Sequence, residues 1–274
     1  MKEEEAKKVV RDGYAKIAKQ GSCCCKPVTS CCGGTDLAQD ISQKIGYTEE
    51  EIKVVPEGAN LGLGCGNPVA LASLREGETV LDLGAGAGFD CFLASTRVGS
   101  NGRVIGVDMT PEMVDRAREN AKKGNYENVE FRLGEIENLP VADNSVDAVI
   151  SNCVINLAPD KKRVFEETYR VLKPGGRLMV SDIVLLKELP GFVRDSIAAY
   201  IGCVSGAIMK DEYIGAIKAT GFNEVKVVDE TSVKWVGDDA ASNMFVENLK
   251  ISPEELKEIA SSVISVRVHG VKSI

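Results

Sequence analysis

Apolar residues along this chain form two kinds of pattern: short continuous runs and longer stretches with helical spacing. The short runs predict seven strands, at residues 79–83, 103–108, 129–133, 145–151, 176–183, 224–229 and 263–269. Apolar positions three or four residues apart predict helices, at residues 1–20, 48–55, 89–98, 111–123, 160–172, 191–204, 211–219 and 252–260. Because strands and helices alternate through the centre of the chain, we expect an α/β fold with a mostly parallel sheet and helices on both faces.

Polar and special residues mark where several of these elements begin or end. Thr48 precedes three glutamates and Thr110 precedes Pro111, so both threonines are predicted N-caps. The sequence K-P-G-G at 173–176 ends one helix and leads into the next strand. The last run, V-I-S-V-R-V-H at 263–269, alternates only at its end, which favours an edge strand or a partly covered one.

A glycine-rich loop follows the first predicted strand, in the stretch T-V-L-D-L-G-A-G-A-G-F that begins at Thr79. Gly84, Gly86 and Gly88 occupy every second position, and glycine allows a sharp turn and a close backbone approach to a ligand. The next apolar run ends in Asp108, where a carboxylate can accept hydrogen bonds from both hydroxyls of a ribose. The pattern predicts a nucleoside-binding loop; the alternative is a tight turn in another doubly wound fold.

Composition excludes several classes of function. The chain has 274 residues, a net charge of -8 and a pI of about 5.0, which disfavours a nucleic-acid partner. We expect no membrane span, because no apolar run reaches the roughly 18 residues that one needs. The charged start, M-K-E-E-E-A-K-K, is unlike a secretory signal, so we expect a cytoplasmic protein.

Cysteine is abundant and histidine is rare, with nine and one residues respectively. Five of the cysteines lie in a stretch near the N-terminus that is predicted to be a loop, at positions 23, 24, 25, 31 and 32. A structural zinc or cluster site is the alternative there, but adjacent cysteines do not have the spacing of zinc ligands. The sequence favours reactive or ligand-binding thiols over a disulfide framework.

Three further cysteines occur in loop-like contexts of glycine and other small residues or at a strand end. Cys65 lies in the glycine-rich N-L-G-L-G-C-G-N-P, Cys153 follows the strand at 145–151, and Cys203 lies among small residues. Each one alone could be an ordinary buried cysteine, and we assign that role to Cys91 on a core helix. Together the three thiols suit a soft ligand such as trivalent arsenic, which binds three thiolates and keeps a lone pair.

The sequence from about residue 45 to 210 resembles the arsenite S-adenosylmethionine methyltransferases. The motifs that carry the resemblance are N-L-G-L-G-C-G-N-P, V-L-D-L-G-A-G-A-G-F-D-C-F-L-A, V-I-G-V-D-M-T-P-E-M and S-N-C-V-I-N-L. The resemblance implies a Rossmann-like class I fold, with a seven-stranded sheet and a smaller C-terminal elaboration. It divides the chain into an N-terminal arm (1–70), an S-adenosylmethionine-binding domain (71–185) and an arsenic-binding C-terminal portion (186–274).

The resemblance also implies site residues. Cys65, Cys153 and Cys203 match the arsenic-binding cysteines of the family, and Cys31 or Cys32 is expected to act as a redox partner of Cys65. Cofactor contacts are expected from the acidic residues, the glycine loop and their neighbours, namely Asp82, Gly84, Gly86, Gly88, Asp108, Met109, Glu135, Ile136 and Asn152. Of these, Asp108 is expected at the ribose, and Glu135 and Ile136 near the adenine.

The implied reaction transfers methyl groups to arsenic, with a trivalent arsenical arriving as a thiol adduct. Methyl transfer formally oxidises arsenic, so a thiol reductant of the glutathione or thioredoxin type is expected as a partner. We expect a monomer with no nucleic-acid or membrane partner. Two alternatives remain at this stage: a carbon methyltransferase of the quinone-biosynthesis type, and a thiol-rich protein that binds metalloids without catalysis.

Overall fold

The computed structural model describes residues 3–20, 34–232 and 252–274. Its seven strands are β1 (Thr79–Leu83), β2 (Arg103–Asp108), β3 (Val129–Leu133), β4 (Val146–Asn152), β5 (Leu172–Leu185), β6 (Phe222–Ser232) and β7 (Val263–Lys272). They form one sheet in the order β3-β2-β1-β4-β5-β7-β6. The first five strands are parallel, and β7 runs antiparallel to both β5 and β6. The predicted α/β class and mostly parallel seven-stranded sheet are confirmed.

Helices lie before, between and after the strands. They are α1 (Glu3–Gln20), α2 (Gly34–Lys44), α3 (Glu49–Val54), α4 (Pro68–Leu71), α5 (Phe89–Val98), α6 (Pro111–Lys123), α7 (Lys161–Val171), α8 (Gly191–Arg194), α9 (Ile197–Ile201), α10 (Lys210–Ala219) and α11 (Pro253–Ser262), with a 3₁₀ turn at Ile155–Leu157. Within the described parts of the chain, the helices lack the combination of length and apolar character that a membrane crossing needs.

The alternation of side chains along β1 shows why the sheet is covered on both faces. Leu81 and Leu83 point into one apolar cluster, which also contains Phe165 of α7 and Tyr213 of α10. Val80 points into the opposite cluster, which is formed with α5 and α6. Successive residues of a strand face opposite sides, so a strand that is apolar throughout must be buried on both.

Of the two predicted N-caps, one makes a side-chain capping hydrogen bond and the other does not. Thr48 caps α3 in a capping box with Glu51. Thr110 occupies the N-cap position of α6, but its side chain makes no capping hydrogen bond there. Ser196 accepts a hydrogen bond from the backbone of Ala199 and so starts a new helix, which splits the predicted helix 191–204 into α8 and α9.

The C-terminal strands decide between the two alternatives predicted for residues 263–269. β7 pairs with β5 on one side and with β6 on the other, so it is interior to the sheet and not an edge strand. Its uneven burial does match a partly covered strand. The predicted boundary at residue 185 therefore runs through a single sheet, because the C-terminal portion supplies its last two strands.

Candidate active site

A cavity of about 1010 Å³ opens where the parallel strands end at their carboxyl edge. Ligands of open α/β sheets bind at this edge, where the loops after the strands diverge. The wall is built by the glycine loop, the ends of β2 and β4, the loop around Cys65, and helix α1. Among the lining residues are Asp82, Gly84, Gly86, Asp108, Met109, Ile136, Asn152, Cys65, Cys153 and Cys203.

The glycine loop forms a cradle that side chains would fill. Gly84 and Gly86 have φ angles of +68° and +52°, which favour glycine. A Cβ on Gly86 would meet no atom within 4 Å, so the backbone there faces open cavity. Gly88 differs, because a Cβ on it would lie 2.7 Å from Phe92 and from Phe131. Its packing against these rings and its φ angle of +96° require glycine there, and the predicted cofactor contact of Gly88 stays a prediction.

Asp108 ends β2 and faces the same cavity. Its carboxylate accepts hydrogen bonds from the N–H of Gly86 at 2.9 Å and from that of Thr110 at 2.8 Å. Burial raises the pKa of Asp108, although these two hydrogen bonds favour the charged form and lower it. The residues fit a nucleoside, because a fixed carboxylate and an open glycine backbone lie side by side.

In the G-E-I stretch after β3, one side chain faces the cavity and another bonds to helix α1. Ile136 lines the cavity. The carboxylate of Glu135 instead accepts a hydrogen bond from Lys7 Nζ at 2.8 Å. Glu137 lies 3.2 Å from the same nitrogen. Burial disfavours the charged form of Lys7 and lowers its pKa. The two carboxylates have the larger combined effect and raise the pKa of Lys7 above its ordinary value.

The three loop cysteines converge at the other end of the cavity. The sulfur atoms of Cys65 and Cys153 and a carboxylate oxygen of Asp182 lie within 4.8 Å of one another. The Cys203 thiol donates a hydrogen bond of 2.7 Å to the carbonyl oxygen of Cys153. Hydrogen bonding with Cys203 and Cys65 raises the pKa of the Cys153 thiol well above its ordinary value. The structure thus brings together thiols that lie far apart in the sequence.

The backbone is also unusual at two of these cysteines. Cys153 and Cys203 have φ angles of +59° and +63°, in the left-handed region that residues with a Cβ rarely adopt. Conformations of this kind cost of order 1–3 kcal/mol and cluster at functional sites. The Cys153 N–H donates a hydrogen bond to the Ser181 carbonyl, and the Cys203 N–H donates one to the Tyr200 carbonyl.

Sequence reasoning missed Asp182, which is completely buried beside the thiols. Its carboxylate accepts hydrogen bonds from the Asn156 side chain at 2.9 Å and from the Tyr213 hydroxyl at 3.1 Å. Burial raises the pKa of Asp182 to about 7. The available signal was a charged residue inside the apolar run of a predicted core strand.

Helix α1 supplies a wall that the sequence did not predict. Lys7, Val10 and Tyr14 lie on one face of this helix and line the cavity. Val10 packs in the same apolar cluster as Cys153 and Cys203. The helix therefore reaches from Glu135 to the thiols.

The remaining predicted residues lie in different places. Cys91 is fully buried on α5 and donates a hydrogen bond of 3.2 Å to Asp82, as the core assignment requires. Asn152 lines the cavity, but its amide is bonded to protein atoms, and the predicted cofactor contact stays a prediction. Cys31 and Cys32 lie outside the described residues.

A glycine cradle with an acidic strand end, in a sheet of this order, defines a class I methyltransferase fold. Residues 74–221 match the family model described as a methyltransferase domain. The chain therefore belongs to the methyltransferase domain family.

Several similar proteins over most of this chain are named arsenic methyltransferases. The arsenite methyltransferase of Halobacterium salinarum is 50% identical over 243 residues, which cover 86% of this chain and 62% of the relative. The arsenite methyltransferase of Aquipseudomonas alcaligenes is 34% identical over 82% of this chain and 64% of its own. A solved arsenic(III) S-adenosylmethionine methyltransferase of Chlamydomonas reinhardtii aligns with a TM-score of 0.62 and 31% identity, over 87% of this chain and 74% of that one. The chain thus spans about three fifths of the curated relatives' length.

Proposed function

We propose that this protein is an arsenite methyltransferase, which transfers methyl groups from S-adenosylmethionine to trivalent arsenic held by cysteine thiolates. The observation that carries the proposal is the convergence of Cys65, Cys153 and Cys203 on the cavity whose other end is the glycine loop. The names of the similar proteins support it.

Cofactor binding falls to the glycine loop and the strand ends beside it. Gly86 offers open backbone to the methionine end, Gly84 allows the loop to turn closely against Val154, and Asp108 offers a carboxylate to the ribose hydroxyls. Ile136 offers an apolar surface to the adenine. When bound, S-adenosylmethionine supplies a methyl group on a positively charged sulfur.

Arsenic binding falls to the three thiols. Each cysteine thiol displaces one thiol of the incoming adduct, and the proton it loses is taken by the departing thiolate. Soft sulfur ligands suit arsenic(III), and three of them leave its lone pair free. Holding both reactants in one cavity contributes most of the rate, up to about 7–11 kcal/mol in well-oriented reactions. The protein need not remove a proton from the acceptor, which agrees with its single histidine.

Reduction completes the cycle. Gaining a methyl cation formally oxidises arsenic by two electrons, so two thiols must form a disulfide for each transfer. We propose that Cys31 or Cys32 pairs with Cys65 for this step, and that an external thiol of the glutathione or thioredoxin type reopens the bond by exchange.

The test is product speciation after incubation of the purified protein with arsenite, S-adenosylmethionine and a thiol. Methylated arsenicals and S-adenosylhomocysteine are the expected products. A carbon methyltransferase gives no turnover with arsenite, and a sequestering protein binds arsenite without turnover; either outcome contradicts the proposal.

A further inference from the structure

The side chain of Asn152 holds the peptide of Cys65 from both sides. Its Oδ1 accepts a hydrogen bond from the Cys65 N–H at 3.0 Å, and its Nδ2 donates to the Gly66 carbonyl at 2.8 Å. An N–H can only donate and a carbonyl can only accept, so these two partners fix which way the amide faces. One side chain thereby sets the position and orientation of the Cys65 backbone.

The loop around Cys65 has glycines where a side chain would prevent this contact. A Cβ on Gly64 would lie 2.7 Å from Nδ2 of Asn152. A Cβ on Gly66 would lie 2.0 Å from the hydroxyl of Ser181. The loop can therefore lie directly on the sheet edge, where the Ser265 hydroxyl also donates to the Cys65 carbonyl at 2.8 Å.

The amide of Asn152 also contacts two buried side chains, Tyr47 and Asp90. Nδ2 lies 2.9 Å from the Tyr47 hydroxyl and 3.1 Å from a carboxylate oxygen of Asp90. The Tyr47 hydroxyl donates to the other oxygen of Asp90 at 2.6 Å. Tyr47 and Asp90 are both buried, so Asn152 is held by groups that cannot easily move.

We propose that Asn152 is a positioning residue that places Cys65 within reach of the arsenic atom held by Cys153. Asn152 precedes Cys153 at the end of β4, so one strand end carries one thiol and fixes the other. The two partners lie 87 positions apart in the sequence. This role rests on the proposed function.

The experiment compares Asn152→Ala with Asn128→Ala, in a protein whose five N-terminal cysteines are replaced by Ser. Asn128 is the matched control, because its amide also makes two hydrogen bonds, to Ser95 and to Gly99, away from the cavity. Arsenite is the probe, and X-ray absorption at the arsenic edge counts the As–S bonds. Single-turnover methylation and the Kd of S-adenosylmethionine are measured beside it.

In Asn152→Ala we expect one As–S bond fewer than in the parent and single-turnover methylation slower by about 100-fold, since small displacements of reacting groups cost that much. The Kd of S-adenosylmethionine should change by less than about threefold, and Asn128→Ala should match the parent in all three measurements. If Asn152→Ala does not fold, Asn152→Asp, which keeps the acceptor for Cys65 but not the donor to Gly66, is tested with the same expectation.

Unchanged As–S coordination in the Asn152 variant overturns this inference and leaves the proposed function standing. An equal loss in Asn128→Ala also overturns it, because the effect then follows general destabilisation. A parent protein that binds arsenite through no sulfur overturns the proposed function and this inference together.

Discussion

At the scale of single residues, the cavity is lined by two kinds of functional group, a carboxylate beside the glycine loop and a set of thiols. Asp108 presents a carboxylate beside the open backbone of Gly86. Cys153 presents a thiol between those of Cys65 and Cys203. Substitutions at Asp108 and Cys153 should therefore affect cofactor binding and arsenic chemistry separately.

Replacing Asp108 by Ala should weaken S-adenosylmethionine binding by about 1–3 kcal/mol, because ribose hydroxyls would lose their acceptor. Calorimetric titration of the cofactor measures this, with Asp115→Ala on the exposed face of α6 as the control. Equal affinities in the two variants would rule out the ribose assignment.

Replacing Cys153 by Ser should abolish methylation of arsenite, because a hydroxyl is a poor ligand for so soft an atom. Cys91→Ser is the matched control, since Cys91 is buried in the core and is not part of the cluster of Cys65, Cys153 and Asp182. It should keep methylation and lose only stability. Mass spectrometry of the arsenic products measures methylation in both variants. Methylation by Cys153→Ser would contradict the proposal that Cys153 binds arsenic.

Asp182 gives the protein a pH-dependent stability whose sign follows from its burial. Its pKa is about 7 when folded and 3.8 ordinarily, so between these pH values the folded state holds a proton that the unfolded chain has lost. Its contribution is therefore greatest below pH 4 and falls as the pH rises to 7. Relative to wild type, Asp182→Asn should gain stability over that range, by up to roughly 4 kcal/mol.

Denaturant unfolding at several pH values, without arsenic, measures this difference. The exposed Asp115 provides the control variant, Asp115→Asn. A difference between Asp182→Asn and wild type that does not grow from pH 4 to pH 7 contradicts the assignment.

At the scale of elements, α1 closes the cavity and is held there by a buried charge. Lys7 is only 6% exposed and contacts Glu135 and Glu137. Lys19, near the other end of the same helix, pairs with Glu112 in a largely exposed contact. The two lysines allow a comparison within one helix.

Lys7→Met should destabilise the protein by roughly 1–3 kcal/mol, because it leaves the carboxylate of Glu137 buried without a partner. Lys19→Met should cost less than about 1 kcal/mol, as exposed ion pairs do. Hydrogen exchange of the amides in 3–20 should accelerate in the first variant alone. Similar exchange in both would show that the buried pair does not hold α1 in place.

At the scale of the whole molecule, the proposed function separates methyl transfer from the recovery of thiols. The described residues contain the cavity and the three thiols that we propose to bind arsenic. The five N-terminal cysteines lie outside the described residues, so the proposal that Cys31 or Cys32 serves reduction rests on the sequence.

Replacing those five cysteines by Ser should preserve the first methyl transfer and abolish multiple turnover, or conversion beyond the first product. The reason is that Cys65 would lack the partner with which it closes a disulfide. Single-turnover and steady-state assays of the same preparation separate the two outcomes. Unimpaired multiple turnover would exclude these cysteines from the redox cycle.

The sequence by itself determined what depends on near neighbours along the chain. Hydrophobic periodicity located the seven strands, and the glycine spacing located the nucleoside loop, because both are local consequences of backbone geometry. It also identified the three loop thiols, since their glycine-rich and strand-end contexts are visible in single segments. Helix α2, at Gly34–Lys44, was missed although Leu37 and Ile41 have helical spacing.

The tertiary structure alone decided which distant residues meet. It placed β7 inside the sheet, Asp182 beside two thiols, Lys7 against Glu135, and the Asn152 amide against Cys65. Each of these contacts joins two segments that are distant in the sequence. The local pattern of each segment would be the same if the contact did not form. The physical reason is that periodicity fixes which face of an element is buried, whereas its partner is chosen by packing the whole chain around one sheet.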